Sequence, residues 1–206
     1  MLFRSILASS TDTISWFIRT AGFGTSQITA VASLNSNYYA ATNAGNLAIS
    51  TDTISWTFRT AGFGTSAINN LAYGALPASN FLAVGVSGTL TASTDGIAWA
   101  FRTSGFGTTS ITTAVYAGDQ ASNKYVIGGV NGLVRSSTDA IAWTTRTTGG
   151  LGTNNVNGLE YNNNVFNIAA NNGISLTSTD AVTWVIRTSG FGTSSIITTE
   201  IGRAHV

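Results

Sequence analysis

One seven-residue unit, Ser-Thr-Asp followed by three variable residues and Trp, recurs five times and restricts the chain to repeat architectures. It reads STDTISW at Ser10–Trp16 and Ser50–Trp56, STDGIAW at Ser93–Trp99, STDAIAW at Ser137–Trp143 and STDAVTW at Ser178–Trp184. The aspartates Asp12, Asp52, Asp95, Asp139 and Asp180 stand 40, 43, 44 and 41 residues apart. An arginine follows each tryptophan by three residues, at Arg19, Arg59, Arg102, Arg146 and Arg187. Five periods of about 42 residues account for the full length of 206, which predicts one repeat domain over 1–206, regular between residues 6 and 199.

Each period has room for four short strands. In the second gap these are Ile68–Gly74, Phe81–Gly88, Thr89–Ser93 and Ile97–Thr103, all rich in Thr, Val, Ile, Ala and aromatics. Glu, Lys and Leu are scarce, so helix is disfavoured. Gly45, Gly88, Gly132 and Gly173 each lie seven residues before an aspartate. Asn131-Gly132 and Asn172-Gly173 are strong hairpin signals, because both turn residues need positive φ. Four antiparallel strands in a unit of this length match one propeller blade, whereas β-helix coils are shorter and a β-trefoil has three units. The expected fold is all-β: a five-bladed β-propeller with each blade packed on the next. The chain starts at a third strand and finishes in a first, so the closing blade would be shared by the N- and C-termini. In that blade Ile6–Ser9 and Thr13–Thr20 would be joined by Ser194–Ile201, and its second strand would be absent unless the tail Gly202–Val206 supplies it.

Composition removes whole classes of function. Only 8% of residues are charged, against about a quarter in an ordinary soluble domain. Nine basic and eight acidic side chains leave a net charge of +1, which excludes an electrostatic nucleic-acid binder. Cysteine is absent, so disulfide scaffolds, thiolate metal sites and cysteine nucleophiles are excluded. One histidine and a scatter of acids give no metal-ligand cluster, and neither metal nor cofactor is expected. No apolar run approaches membrane-spanning length.

The five S-T-D-x-x-x-W segments resemble the Asp-box (bacterial neuraminidase repeat) family and the propellers related to photosystem II assembly factors. The fuller pattern STDGIAWAFRTSGFGT is also similar to repeats of bacterial surface and phage-tail proteins. The resemblance spans all five units but departs from the usual S-x-D-x-G-x-T-W pattern. Asp to Trp is one residue shorter here, and only the third unit has glycine after the aspartate, at Gly96. It implies a propeller that serves as a non-catalytic binding or structural module on a cell or virion surface, with a glycan or a protein as partner. A protein-assembly scaffold and a sialidase-like hydrolase are the alternatives it carries.

The recurring residues read first as scaffold. A turn carboxylate at Asp12, Asp52, Asp95, Asp139 or Asp180 can accept backbone N–H groups of its own turn. Trp16, Trp56, Trp99, Trp143 and Trp184 are then placed to cover apolar surface beneath it. The arginines repeat around the array rather than converging, which suits stacking on Trp or pairing with a turn aspartate better than a substrate clamp. The loops TAGFGTS, TSGFGTT and TSGFGTS set Phe23, Phe63, Phe106 and Phe191 between glycines, with Leu151 in the fourth unit. These rings are candidates either for stacking on a sugar or for plugging the space between blades. Outside the repeat stand Asp119, Lys124, Arg135 and Glu160. Glu160 and Tyr161 are neighbours on a strand and point to opposite faces, so paired-acid hydrolysis lacks its second carboxylate. No enzyme is expected. GFGTS has no following helix, which rejects a phosphate loop.

Both ends break the repeat. Residues 1–5 and 200–206 match no other unit, and LFRS and EIGRAHV read as the two translated flanks of a sequencing adapter. The sequence thus predicts a metagenomic fragment of a longer repeat protein. A ring that closes would be a monomer, and one that fails to close would associate through open blade edges.

Overall fold

The computed structural model describes residues 7–34, 36–74, 81–118 and 123–197. The flanks 1–5 and 200–206 and Asp119 lie outside these. The described chain forms five antiparallel sheets in sequence order. Sheet 1 has two strands, β1 (Leu7–Ser9) and β2 (Phe17–Arg19). Sheet 2 comprises β3 (Ile28–Leu34), β4 (Asn37–Thr42), β5 (Leu47–Ser50) and β6 (Thr57–Arg59). Sheet 3 comprises β7 (Ile68–Tyr73), β8 (Phe81–Gly85), β9 (Leu90–Ser93) and β10 (Ala100–Phe101). Sheet 4 comprises β11 (Ile111–Ala117), β12 (Lys124–Gly129), β13 (Val134–Ser137) and β14 (Thr144–Thr145). Sheet 5 comprises β15 (Val156–Asn162), β16 (Val165–Ala170), β17 (Ser175–Ser178) and β18 (Val185–Arg187). In each four-stranded sheet the strands pair as consecutive hairpins. In sheets 3, 4 and 5 the second and third strands meet through a tight turn in which Ser87-Gly88, Asn131-Gly132 and Asn172-Gly173 all take positive φ, between 54° and 66°.

The outermost strands are shorter than the sequence predicts. The strand expected over Ile97–Thr103 is reduced to Ala100–Phe101, and that over Thr13–Thr20 to Phe17–Arg19. The reason is local: the N–H groups of Ile97 and Ala98, and of Ile14 and Ser15, are held by their turn aspartates and are not free for a ladder. Ser194–Ile197, the described part of the segment expected to close the last blade, is not a strand.

No sheet has a core of its own. Each of four apolar clusters joins two consecutive sheets. One sets Leu82, Val84 and Leu90 of sheet 3 against Ile111, Tyr125 and Ile127 of sheet 4. Another sets Val126 and Val134 of sheet 4 against Leu159, Phe166 and Ile168 of sheet 5. The first strands β3, β7, β11 and β15 contact one another in that order. One hydrogen bond recurs at each of these junctions. The second residue of a first strand donates its side chain to the carbonyl of the first residue of the next: Thr29 to Ile68, Asn69 to Ile111, and Thr112 to Val156. Asn157 donates in the same way to Ile196 at 2.8 Å, so Ile196 stands where a further first strand would begin.

Candidate functional site

The aspartate turn is built identically five times. One carboxylate oxygen accepts the N–H groups two and three residues on, at 2.7–2.9 Å. The serine two residues earlier donates its hydroxyl to the same oxygen, at 2.9–3.0 Å. Donors aimed at the ionised form favour it. Backbone N–H bonds accordingly hold all five carboxyls below their ordinary value of 3.8, Asp12 and Asp180 at about 2. The residue after the aspartate takes positive φ in every unit: Thr13, Thr53, Gly96, Ala140 and Ala181. Glycine is the residue for which this is free of strain, yet four of the five units place Thr or Ala there.

The tryptophans differ by position in the array. Trp56, Trp99 and Trp143 pack half-buried on the junctions of sheets 1 and 2, 2 and 3, and 3 and 4, and Trp184 is buried between sheets 4 and 5. Trp16 packs on no other sheet among the described residues and is 62% exposed. The indole N–H of Trp16, Trp56 and Trp99 donates to the carbonyl three residues back.

Each arginine acts within its own sheet. Arg19, Arg146 and Arg187 donate Nε to a hydroxyl ten residues earlier on the neighbouring strand, at Ser9, Ser136 and Thr177, over 2.7–2.8 Å. At Arg59 and Arg102 that position is Ile49 and Ala92, and there Nε is buried without a partner. The ring contact made by an arginine is Arg19 over Phe17, at 5.3 Å, rather than a stack on Trp16. Lys124 donates Nζ to the Asp180 carbonyl at 2.6 Å.

Phe23, Phe63, Phe106 and Leu151 are buried at successive sheet junctions. Little of those rings meets solvent, and they pack as plugs. Phe191 is 57% exposed, although its loop keeps the shared geometry, with Ser194 N–H donating to the Phe191 carbonyl as Thr109 does to Phe106.

The open site includes none of the four phenylalanines suggested as ligand-binding, although the motif residues Trp16, Arg19, Asp52 and Trp56 line it. A groove of about 650 Å³ runs between sheet 1 and sheet 2. One wall is β1 and the Trp16–Phe17 segment. The other is the face of β3 and β4 carrying Val31 and Tyr38. Val31 is 66% exposed, whereas Ala114 and Leu159 at the same place in sheets 4 and 5 are buried. Tyr38 is exposed, while Tyr125 and Phe166, its counterparts, are fully buried. The phase of the repeat was the signal for this groove: among the described residues sheet 1 consists of third- and fourth-position strands, which leave the Val31 and Tyr38 part of sheet 2 uncovered. Among the described residues no group of three His, Cys, Asp or Glu side chains converges as a metal site.

No family model matches the sequence, and neither does any curated protein. Solved structures do match. Over 88% of this chain it superposes on YCF48 bound to D1 peptide, with a TM-score of 0.63 at 17% identity, covering 60% of that chain. Virginiamycin B lyase from Staphylococcus aureus gives a TM-score of 0.78 at 10% identity, over 90% of this chain and 63% of that one. An ancestral GH74 enzyme gives 0.63 at 17% identity, over 77% of this chain and 24% of that one. All are β-propellers, and at these identities the likeness concerns the fold alone.

Proposed function

We propose that the chain is a non-catalytic binding module that closes as a five-bladed ring and holds a segment of a partner protein in the groove beside sheet 1. The groove carries this reading, because it sets an uncovered apolar face of sheet 2 against the two-stranded sheet 1. Exposed apolar surface of this kind is what partner sites offer. A propeller of similar fold solved with a peptide supports a protein partner over the other classes. The repeated acids are committed as acceptors to their own turns, which supports a scaffold over a hydrolase. A glycan reading rests on Phe191, the one plug ring with an open face.

Closure draws support from the two ends of the array. In sheets 2, 3 and 5 a fourth-strand side chain, Phe58, Phe101 or Ile186, lies over a loop glycine of the preceding junction, Gly22, Gly62 or Gly150. The counterpart in sheet 1 is Ile18, 73% exposed, and the counterpart loop after sheet 5 has open space above Gly190. Knob and hole are each missing the other.

Panning a random peptide display library on the protein tests the binding reading, with Val31→Asp as the comparison surface. Peptides that enrich on the parent and not on Val31→Asp support it; enrichment that ignores the substitution overturns it. A glycan array with Phe191→Ala as control tests the glycan reading, which falls if no sugar binds. For closure, light scattering after size exclusion should give a compact monomer. Phe191→Asp should lower the melting temperature, since a closed ring would bury Phe191 as Phe23, Phe63 and Phe106 are buried. Parent-like melting of Phe191→Asp rejects the ring.

A further inference from the structure

We infer that sheets 2 to 5 recognise their neighbours by size. Across each of their junctions a large side chain of one sheet faces a glycine or an alanine of the next, and the small residue is glycine where the large one carries a tyrosine hydroxyl.

Two tyrosines show the hydroxyl rule from opposite directions. Tyr39 of β4 is buried and looks forward onto sheet 3. A Cβ on Gly96 would stand 2.5 Å from its Oη and 2.9 Å from its Cε1, against about 3.5–4.0 Å for packed carbon atoms. The ring is held in place by Phe81, with centroids 4.9 Å apart. Tyr125 of β12 looks backward onto sheet 3, and there a Cβ on Gly74 would fall on its Oη. Gly74 has no left-handed φ, so its own backbone does not call for glycine. Sheet 3 thus meets a tyrosine on both flanks and offers glycine to each.

Where the facing residue is smaller, alanine replaces glycine. The place of Tyr39, opposite Ile49, is taken in the next two sheets by Leu82 opposite Ala92 and Val126 opposite Ser136. The residue after the following aspartate is then Ala140 or Ala181, each wholly buried in the cluster that holds Leu82 or Val126. The place of Tyr125, opposite Ser137, is taken in sheet 5 by Phe166 opposite Ser178. Ala117, which follows Tyr116 as Gly74 follows Tyr73, is buried in the cluster of Phe166. The two rings are set alike, Tyr125 on Tyr116 and Phe166 on Tyr161, with centroids 4.6 Å apart in both, so loss of the hydroxyl is what admits the methyl group. The rule explains why Gly96 alone follows its aspartate. Left-handed backbone does not, since Ala140 and Ala181 take φ of 62° and 56° there. The joint bonds from Thr29, Asn69 and Thr112 are alike at every junction and do not tell one neighbour from another; the size pairs do. Sheet 4 in the place of sheet 3 would keep the joint but bring Ala140 against Tyr39.

Melting of the full chain, followed by circular dichroism, reads the match through paired substitutions. Gly74→Ala should lower the melting temperature by about 5 °C in the parent, the scale of overpacking in a chain of this size, and by less than about 1 °C beside Tyr125→Phe. Gly96→Ala should likewise cost several degrees in the parent and little beside Tyr39→Leu. The reverse change is expected in sheet 5, where Phe166→Tyr should destabilise and Ala117→Gly should restore much of the loss. If Gly74→Ala yields no folded protein, a cooperative melt regained with Tyr125→Phe supports the match, and failure of that double variant overturns it. A loss of equal size in both backgrounds puts the need for glycine in its own backbone and overturns the inference. So does a parent-like melt of Gly74→Ala, or a Phe166→Tyr loss that Ala117→Gly leaves unchanged.

Discussion

The arginine contacts supply a reciprocal experiment. Ser136→Ala removes the acceptor of Arg146 Nε, now at 2.7 Å, in a setting where Ser136 is buried. A hydrogen bond to a charged donor contributes roughly 1.5–3 kcal/mol, and a buried donor left unmade costs about 1–3 kcal/mol. Arg146 is half-buried, so water recovers part of this, and a loss of about 1–2 kcal/mol is expected. Ala92→Ser is the mirror image. Ala92 is buried at the same place in sheet 3, beneath an Arg102 Nε that has no acceptor. The added hydroxyl must be desolvated, which offsets much of the new bond, leaving a gain of roughly 0.5–1 kcal/mol. The assay is urea unfolding of the two single variants and of Ala92→Ser combined with Arg102→Lys, since lysine offers no Nε fork. The gain from Ala92→Ser should vanish in the lysine background. If Ala92→Ser destabilises, or stabilises equally beside Lys, the hydroxyl does not reach the guanidinium and the pairing rule is wrong.

Acid should unfold the array through its turns. A depressed carboxyl contributes stability that is complete above its unfolded value and is lost as pH falls through the folded one. Melting temperature should therefore hold down to near pH 4 and then drop towards pH 2, following Asp12 and Asp180 from 3.8 to about 2; a flat profile over that interval would refute the turn assignment. Thr53 holds a β-branched side chain at φ 63°. Thr53→Gly relieves about 1–2 kcal/mol of left-handed strain against roughly 0.5–1 kcal/mol of added chain entropy, so a small rise in thermal stability is expected. Trp184→Ala should cost roughly 3–5 kcal/mol in denaturant titration, because the ring is buried against Phe166. A closed ring would set Trp16 on a sheet junction as Trp56 is set, so Trp16→Ala should lose about as much as Trp56→Ala in the same titration, and a parent-like curve counts against closure.

Much of the fold follows from the repeat. The Asn-Gly pairs mark their turns, the alternating runs mark the inner strands, and the aspartate marks an N–H acceptor. The outer strands were overestimated because periodicity cannot tell a ladder N–H from one held by a carboxylate, as at Ile97 and Ala98. The left-handed residue after each aspartate is illegible where Thr or Ala occupies it. Phe23 and Phe191 sit in nearly the same heptapeptide, yet one is buried and the other open, because sheet 2 packs over Phe23 while among the described residues no sheet packs over Phe191. The same applies to Val31 and Tyr38: nothing in their own neighbourhood marks them as a groove wall.

The bond from Thr29, Asn69, Thr112 and Asn157 to the next unit's first carbonyl bears on how such arrays change over generations. Every unit carries its own donor forward and offers its own acceptor backward, so a duplicated unit inserts with both joints already matched, and a deleted one leaves none dangling. Because the acceptor is main chain, any donor of suitable reach serves, and Thr and Asn exchange freely at the joint. Unequal recombination between neighbouring units can therefore lengthen or shorten the protein in whole steps, with drift in the joint residue leaving the seam intact.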